Sequence, residues 1–220
     1  MQYLGLALYA EGSTDYYFLR PLLQRLCEDL CVREARDLVD VGEVLALDHP
    51  PERNRDPRED RILAAAKLAR GAWHILFIHA DGSNDHQHAR QHQVAPCLGI
   101  LRNEFDGDGL GVAVVPVRET EAWAIVDGDA LRAAFGTTLN SQELGLPNVQ
   151  SVEHNADPKA CLTAAFEATG PSGKRRKQGT SPYLSMLGES ISLDRLRRLA
   201  AFNALEDELR EALRQLQIIR

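Results

Sequence analysis

The chain has 220 residues, 44% of them hydrophobic and 26% charged, a balance that excludes extensive disorder and predicts a compact core. Its formal net charge of −7 argues against a protein that coats nucleic acid nonspecifically, because neutralising many phosphates requires surplus lysine and arginine. The charge leaves room for a local basic groove.

The N-terminal apolar run predicts a strand. It lacks the basic flank and cleavage site of a signal peptide, and no stretch reaches the roughly 18 apolar residues of a membrane span. We therefore expect a cytoplasmic protein that does not contact a membrane. The four cysteines, which lack paired CxxC spacing, are expected to be reduced structural thiols.

The first predicted strand runs from Tyr3 to Ala10, a length and apolarity typical of a strand buried on both faces of a parallel sheet. It ends at Glu11-Gly12, and a helix capped by Ser13 or Thr14 is predicted to follow. Pro21 lies inside this helix and allows a kink or a later start.

Three more strands are predicted, at Val39 to Leu47, Ala72 to Ala80 and Leu110 to Val117. The intervening helices run from Asp56-Pro57 to Gly71 and from Val94 to Phe105, with a turn at Asp106 to Gly109. Strands that alternate with helices predict a parallel sheet with right-handed crossovers.

Beyond Asp127 only helices are predicted, over Asp129 to Phe135, Pro158 to Thr169 and about Leu193 to Leu216. The apolar stripe of the last helix predicts packing on the sheet, with a homodimer contact as the alternative. We expect an α/β domain over residues 1–136 and a helical extension packed on it over residues 137–220.

Acidic residues follow three of the predicted strands: Glu11 after the first, Asp81 and Asp85 after the third, and Glu119 and Glu121 after the fourth. Ligands of open parallel sheets bind at the carboxyl ends of the strands. Mg²⁺ prefers hard oxygen ligands and is usually held by one or two carboxylates plus substrate phosphate. The alternative for each acid is that it caps the helix that follows, although glutamate is a poor N-cap.

Two of these strand ends carry a resemblance to a known family. The stretches YLGLALYAEG and AWHILFIHADGS resemble the Toprim domain of topoisomerases, bacterial primases and overcoming-lysogenization-defect nucleases. Within that superfamily the chain is most similar to small Toprim-like bacterial proteins, through EGSTDYYFLRPLL, RETEAWAIVDGDAL, DPKACL and AFNALEDEL. The resemblance implies a Toprim/Rossmann-like α/β fold with a mainly parallel sheet flanked by helices.

The resemblance also implies a chemistry. In Toprim enzymes the glutamate after the first strand serves in acid/base work or metal binding, and a later Asp-x-Asp pair binds magnesium. Glu11 and Asp81 would take these roles, with Mg²⁺ or Mn²⁺ as cofactor and DNA or RNA as substrate. The sequence departs from this pattern at Ser83, so Asp85, Glu119 or Glu121 would have to replace the second aspartate.

Two other clusters are candidates for binding. His86, His88 and His92 are potential zinc or manganese ligands, because residues at i,i+4 on a helix can reach one ion, and the alternative is a solvated polar loop. The basic run Lys174, Arg175, Arg176 and Lys177 lies in the segment Gly173 to Gly179 and is predicted to be a loop that contacts nucleic-acid phosphates or solvent.

Three functions remain open from the sequence. The first is a metal-dependent nuclease or nuclease-like effector, which by resemblance would act in bacterial defence, alone or with a partner protein. The second is a noncatalytic nucleic-acid-binding or nucleotide-binding subunit that has lost its metal pair at Ser83. The third is a zinc hydrolase that uses the histidine cluster.

Overall fold

The protein is an α/β structure built on a parallel sheet of four strands, which confirms the expected fold class. The computed structural model describes residues 1–107 and 109–220. The strands, in the spatial order β2-β1-β3-β4, are β1 (Gln2–Tyr9), β2 (Val39–Ala46), β3 (Ile75–His79) and β4 (Leu110–Val114).

Helices cover both faces of the sheet and continue beyond it. They are α1 (Asp15–Glu34), α2 (Arg58–Leu68), α3 (His86–Ala89), α4 (Ala95–Phe105), α5 (Glu121–Ala124), α6 (Gly128–Phe135), α7 (Pro158–Ala168), α8 (Gly173–Gln178), α9 (Leu184–Ser190), α10 (Leu193–Leu196) and α11 (Ala200–Gln215). No helix in the described part of the chain combines the length and apolarity that crossing a bilayer requires.

The two faces of the sheet are buried against different helices, as the alternation of side chains along a strand requires. Leu6 and Leu8 of β1 pack in one cluster with α1 and the C-terminal helices, whereas Ala7 and Tyr9 pack in another with α2 and α4. Burial on both faces explains the continuous apolar sequence of β1. The helix that follows β1 and the helices that follow β3 pack on opposite faces of the sheet. This topology places a crevice between the carboxyl ends of β1 and β3.

Several boundaries differ from the sequence prediction. The third strand begins at Ile75, and the fourth ends at Val114, just before Pro116, which cannot donate to a ladder. Helix α1 runs through Pro21. A π-helix, Arg90–Val94, joins α3 to α4, and the predicted turn at Asp106 to Gly109 includes residue 108, which lies outside the described residues.

The predicted last helix is divided. Leu199 is extended, with ψ of 134°, and separates α10 from α11. The carboxylate of Glu153 accepts hydrogen bonds from the N–H groups of Ala200 and Ala201 at 3.0 and 2.8 Å and so caps the new helix start. The apolar stripe of α11 is buried within the same chain, against β4 and α1.

A buried carboxylate joins α11 to α1 and α10. Glu206 is only 5% exposed. Its oxygens accept from Arg210 at 2.9 Å, Arg197 at 2.8 Å and Arg33 at 3.3 Å. Asp29 of α1 also pairs with both Arg33 and Arg197, so the network fastens the C-terminal helices to the sheet domain.

The outer edge of β4 is occupied by a side chain. The N–H of Ala113 donates to Glu208 Oε2 of α11 at 3.2 Å, and Arg90 forms an ion pair with the same carboxylate. A backbone donor that another strand would otherwise claim is therefore satisfied within the chain.

Candidate functional site

The carboxyl ends of β1 and β3 bring two of the predicted acids together. Glu11 follows β1 and Asp81 follows β3, and Glu11 Oε2 accepts a hydrogen bond from the Asp81 N–H at 3.1 Å. The two acids lie at the crevice where helices depart to opposite faces of the sheet, which is the position at which open α/β sheets bind ligands.

The loops after β3 and β4 are held tightly side by side. Gly82 N–H donates to Pro116 O at 3.1 Å, and Ser83 N–H donates to Arg118 O at 2.9 Å. A Cβ on Gly82 would stand 2.3 Å from Pro116 O, so only glycine fits here. Ser83 and Arg118 have φ of 47° and 70°, a left-handed conformation that costs non-glycine residues energy and is concentrated at functional sites.

A buried histidine that the sequence analysis did not single out lies beneath the acids. His79 ends β3, is fully buried, and accepts a hydrogen bond on Nδ1 from the Glu11 N–H at 3.4 Å. Its Nε2 lies 3.1 Å from Thr120 Oγ1 and 3.4 Å from Asp81 Oδ1. Asp15 is also near, with Oδ2 3.7 Å from Nδ1. His79 thus connects the ends of β1 and β3 to the loop after β4, and its sequence signal was a polar residue at the end of an apolar run.

The two acids after β4, Glu119 and Glu121, both have raised pKa values. Burial and the negative charge of Asp81 raise the pKa of Glu119, which Lys159 partly opposes. Burial also raises the pKa of Glu121. Since the charge of Asp81 disfavours the ionised form of Glu119, a cation near both carboxylates would be stabilising, and Lys159 supplies part of that charge.

Two carboxylate oxygens of this site, Asp81 Oδ1 and Glu119 Oε2, are buried and accept no hydrogen bond from the residues described, although His79 Nε2 lies 3.4 Å from Asp81 Oδ1. Buried polar atoms are normally paired, and an unpaired one indicates a missing water or ion. Mg²⁺ needs only one or two protein carboxylates when substrate phosphate completes its shell, so the donor set fits such an ion. No group of three or more potential ligands stands ready to hold a metal among the residues described.

Asp85 has a structural role in this arrangement. Its side chain accepts a hydrogen bond from the His88 N–H at 2.9 Å and caps α3. The structure therefore favours the capping alternative for Asp85 over metal binding. The rings of His88 and His92 lie 4.3 Å apart, but within the described chain they have no third ligand that would complete a zinc site.

The basic segment is a short helix and not the predicted loop. Lys174, Arg176 and Lys177 are exposed on α8. Arg175 instead donates to Tyr183 Oη at 2.8 Å and to Phe135 O at 2.6 Å. It also lies over the Phe166 ring, which makes it a packing residue.

Glu119→Gln tests whether the acids repel one another without metal. A carboxyl group whose pKa is raised in the folded state destabilises the fold as pH rises and the group ionises. In chelator the variant should therefore melt above wild type at pH 8, and the two melting temperatures should converge near pH 4. Mg²⁺ at 100 times its Kd should stabilise wild type by about 2.7 kcal/mol, or about 5 to 10 °C, and the variant less. Scanning calorimetry measures both effects.

The matched control is Glu43→Gln, which removes an exposed acid from β2. It should keep the metal response of wild type. Equal metal-induced shifts in wild type and Glu119→Gln would remove Glu119 from the site.

Comparison with known proteins gives no match: no protein-family model, curated protein or solved structure matches the chain. The relationship to Toprim proteins therefore remains a prediction from the sequence motifs. A proposal on function has to stand on the geometry of the strand ends.

Proposed function

We propose that the protein is a Toprim-like, Mg²⁺- or Mn²⁺-dependent nuclease that hydrolyses phosphodiester bonds of DNA or RNA. The observation that carries this proposal is the hydrogen bond that joins the Glu11 carboxylate to the Asp81 backbone at the ends of β1 and β3, together with two buried carboxylate oxygens, Asp81 Oδ1 and Glu119 Oε2, that accept no hydrogen bond from the described residues. The role in bacterial defence implied by the resemblance is part of the proposal.

The residues at the strand ends would have different roles in phosphodiester hydrolysis. A bound divalent ion supplies charge stabilisation for the scissile phosphate and lowers the pKa of a bound water. Asp81 and Glu119 would hold the ion through their unpaired oxygens. Glu11, which is exposed at the crevice, would accept the proton of the attacking water. His79 is a positioning residue, because it contacts the backbone of Glu11 and the carboxylate of Asp81.

Glu119 takes the place of the missing second aspartate in this proposal. Ser83 is exposed, and its backbone is bound to Arg118 O. A neutral hydroxyl is a weak ligand for Mg²⁺, whereas the Glu119 carboxylate interacts electrostatically with Asp81. The noncatalytic binding subunit is the second candidate, favoured by Ser83 itself.

Incubation of purified protein with single- and double-stranded DNA and RNA, in Mg²⁺, Mn²⁺ or chelator, tests the proposal. Cleavage that requires the metal supports the nuclease. Retention of nucleic acid without turnover in any metal supports the binding subunit. Zinc that survives purification and supports hydrolysis would instead revive the site at His86, His88 and His92.

The exposed cations of α8 should contribute to nucleic-acid binding. Helix α7 begins next to Glu119, and its 11 residues span about 16 Å to the segment that leads into α8. Replacing Lys174, Arg176 and Lys177 with alanine should weaken binding and flatten its salt dependence by about 2 to 3 in log–log slope if each contacts one phosphate. Thermal stability should change little.

Arg175→Ala is the contrasting variant. It removes a half-buried cation that holds Phe135 and Tyr183, so it should lower the melting temperature and leave the salt slope nearly unchanged. An unchanged slope in the triple variant would assign α8 to solvent.

A further inference from the structure

A second polar cluster lies on the other side of the β1–β3 crevice, at the start of α2. Arg58 and Arg61 stand three residues apart on this helix and so share a face. The Nε atoms of both are buried and have no hydrogen-bond partner in the part of the chain that the structure describes. Their neighbours Arg53 and Lys67 are paired with Asp56 and Glu104, whereas Arg58 and Arg61 form no ion pair with the described residues.

The contacts of Arg58 place this cluster next to the acids. Its Nη2 donates to the carbonyl of His79 at 2.6 Å, and Asp81 follows His79 by two residues. The charges of Arg61 and Arg58 also act on the buried Tyr9 phenol, which holds the last position of β1. The Arg58 guanidinium therefore lies at the carboxyl end of β3, and Arg61 follows it one turn later on the same face of α2.

Buried cationic donors without an acceptor are costly, and they call for an anion. The start of α2 adds to this requirement, because Pro57 precedes the helix and gives its first N–H groups no side-chain cap. Glu59 and Asp60 in this first turn offset the positive end of the helix, so an anion here would have to bind the two arginines directly.

We propose that Arg58 and Arg61 bind a backbone phosphate of the nucleic-acid strand, next to the phosphate that the acids engage. This inference rests on the proposed function, and it assigns the two sides of the crevice different tasks. The acidic side would hold metal and the scissile group, and the arginines would fix the position of the strand. Arginine suits this task because its planar fork binds two phosphate oxygens at once.

Fluorescence anisotropy with a labelled 20-nucleotide oligothymidylate in chelator tests the inference without turnover. We expect Arg61→Gln to weaken binding about 10-fold and to reduce the slope of log K against log salt by about 0.7, the single-strand value for one lost phosphate contact. Arg61→Lys should bind with intermediate affinity. Arg58→Gln also removes a bond to His79 O, so its folding is checked by circular dichroism, and the inference is judged on Arg61.

The matched control is Arg36→Gln, which removes one exposed charge beyond the end of α1, at the opposite edge of the sheet. It should bind as wild type does. Equal affinity and slope for Arg61→Gln and Arg36→Gln would overturn the inference, as would a wild type that does not bind the oligonucleotide. If wild type cleaves in Mg²⁺ but Arg61 has no effect, only the phosphate site is wrong. If Arg61-dependent binding occurs without cleavage in any metal, the phosphate site stands and the nuclease proposal is wrong.

Discussion

Asp81→Asn should lower metal-dependent cleavage about 100-fold or more. The change keeps the shape of the side chain but removes the charge, and Asp81 carries one of the two unpaired carboxylate oxygens at the strand ends. Loss of about 3 kcal/mol of transition-state stabilisation corresponds to about a 100-fold loss in rate. Cleavage rates under single-turnover conditions, at several Mg²⁺ concentrations, measure the effect.

Glu11→Gln distinguishes the two acids. If Glu11 is the general base, the cleavage rate of Glu11→Gln at saturating metal should fall about 100-fold or more. Asp81→Asn should in addition raise the metal concentration that half-saturates cleavage. Asp40→Asn, at an exposed position on β2, is the matched control and should cleave normally. Undiminished cleavage by both site variants would refute the proposed active site.

Glu206→Ala should destabilise the protein by about 2 to 3 kcal/mol. It leaves Arg210, Arg197 and Arg33 without the buried acceptor that joins them, and breaking one partner of a buried ion pair is strongly destabilising. This loss in free energy of unfolding is smaller than for a fully buried ion pair, because the arginines are partly exposed and remain paired with other carboxylates. For a chain of this size the melting temperature should fall by about 5 to 10 °C.

Urea unfolding followed by circular dichroism measures this change. Glu211→Ala, on the exposed side of the same helix, removes a surface pair with Arg214 at 3.4 Å and a surface hydrogen bond from Gln215 at 3.3 Å, and should cost at most about 0.5 kcal/mol. If the two variants unfold at the same urea concentration, the network around Glu206 does not stabilise the contact between α1 and α11.

Three of the strands could be predicted from sequence because β1, β3 and β4 are short apolar runs bounded by polar or turn residues, whereas β2, which contains Asp40 and Glu43, is marked mainly by its valines. The parallel sheet followed from the alternation of strands and helices, and the position of Glu11 and Asp81 at one edge followed from the direction of parallel strands. The two tryptophans also occupy the core as their apolar neighbours indicate: Trp73 packs on Phe105 and Trp123 on Phe202.

Other features depend on contacts between residues far apart in the chain, which periodicity does not reveal. The break at Leu199 is stabilised by Glu153, 47 residues before the N–H group of Ala200 that it caps. The side chain of Arg175 packs on the rings of Phe166 and Tyr183, unlike the exposed cations beside it in the sequence. The proximity of His79 to both candidate acids depends on the register of β1 on β3, which the sequence of either strand alone does not show.

The hydrogen bond between Ala113 and Glu208 can form only after the ribosome has made both residues. The two residues are 95 positions apart, so at about 5 to 20 residues per second the ribosome needs about 5 to 20 seconds to make the second after the first. During that interval the outer edge of β4 offers free backbone groups to any extended segment nearby. Chains interrupted between these two positions should therefore be the species that chaperones hold and that aggregate.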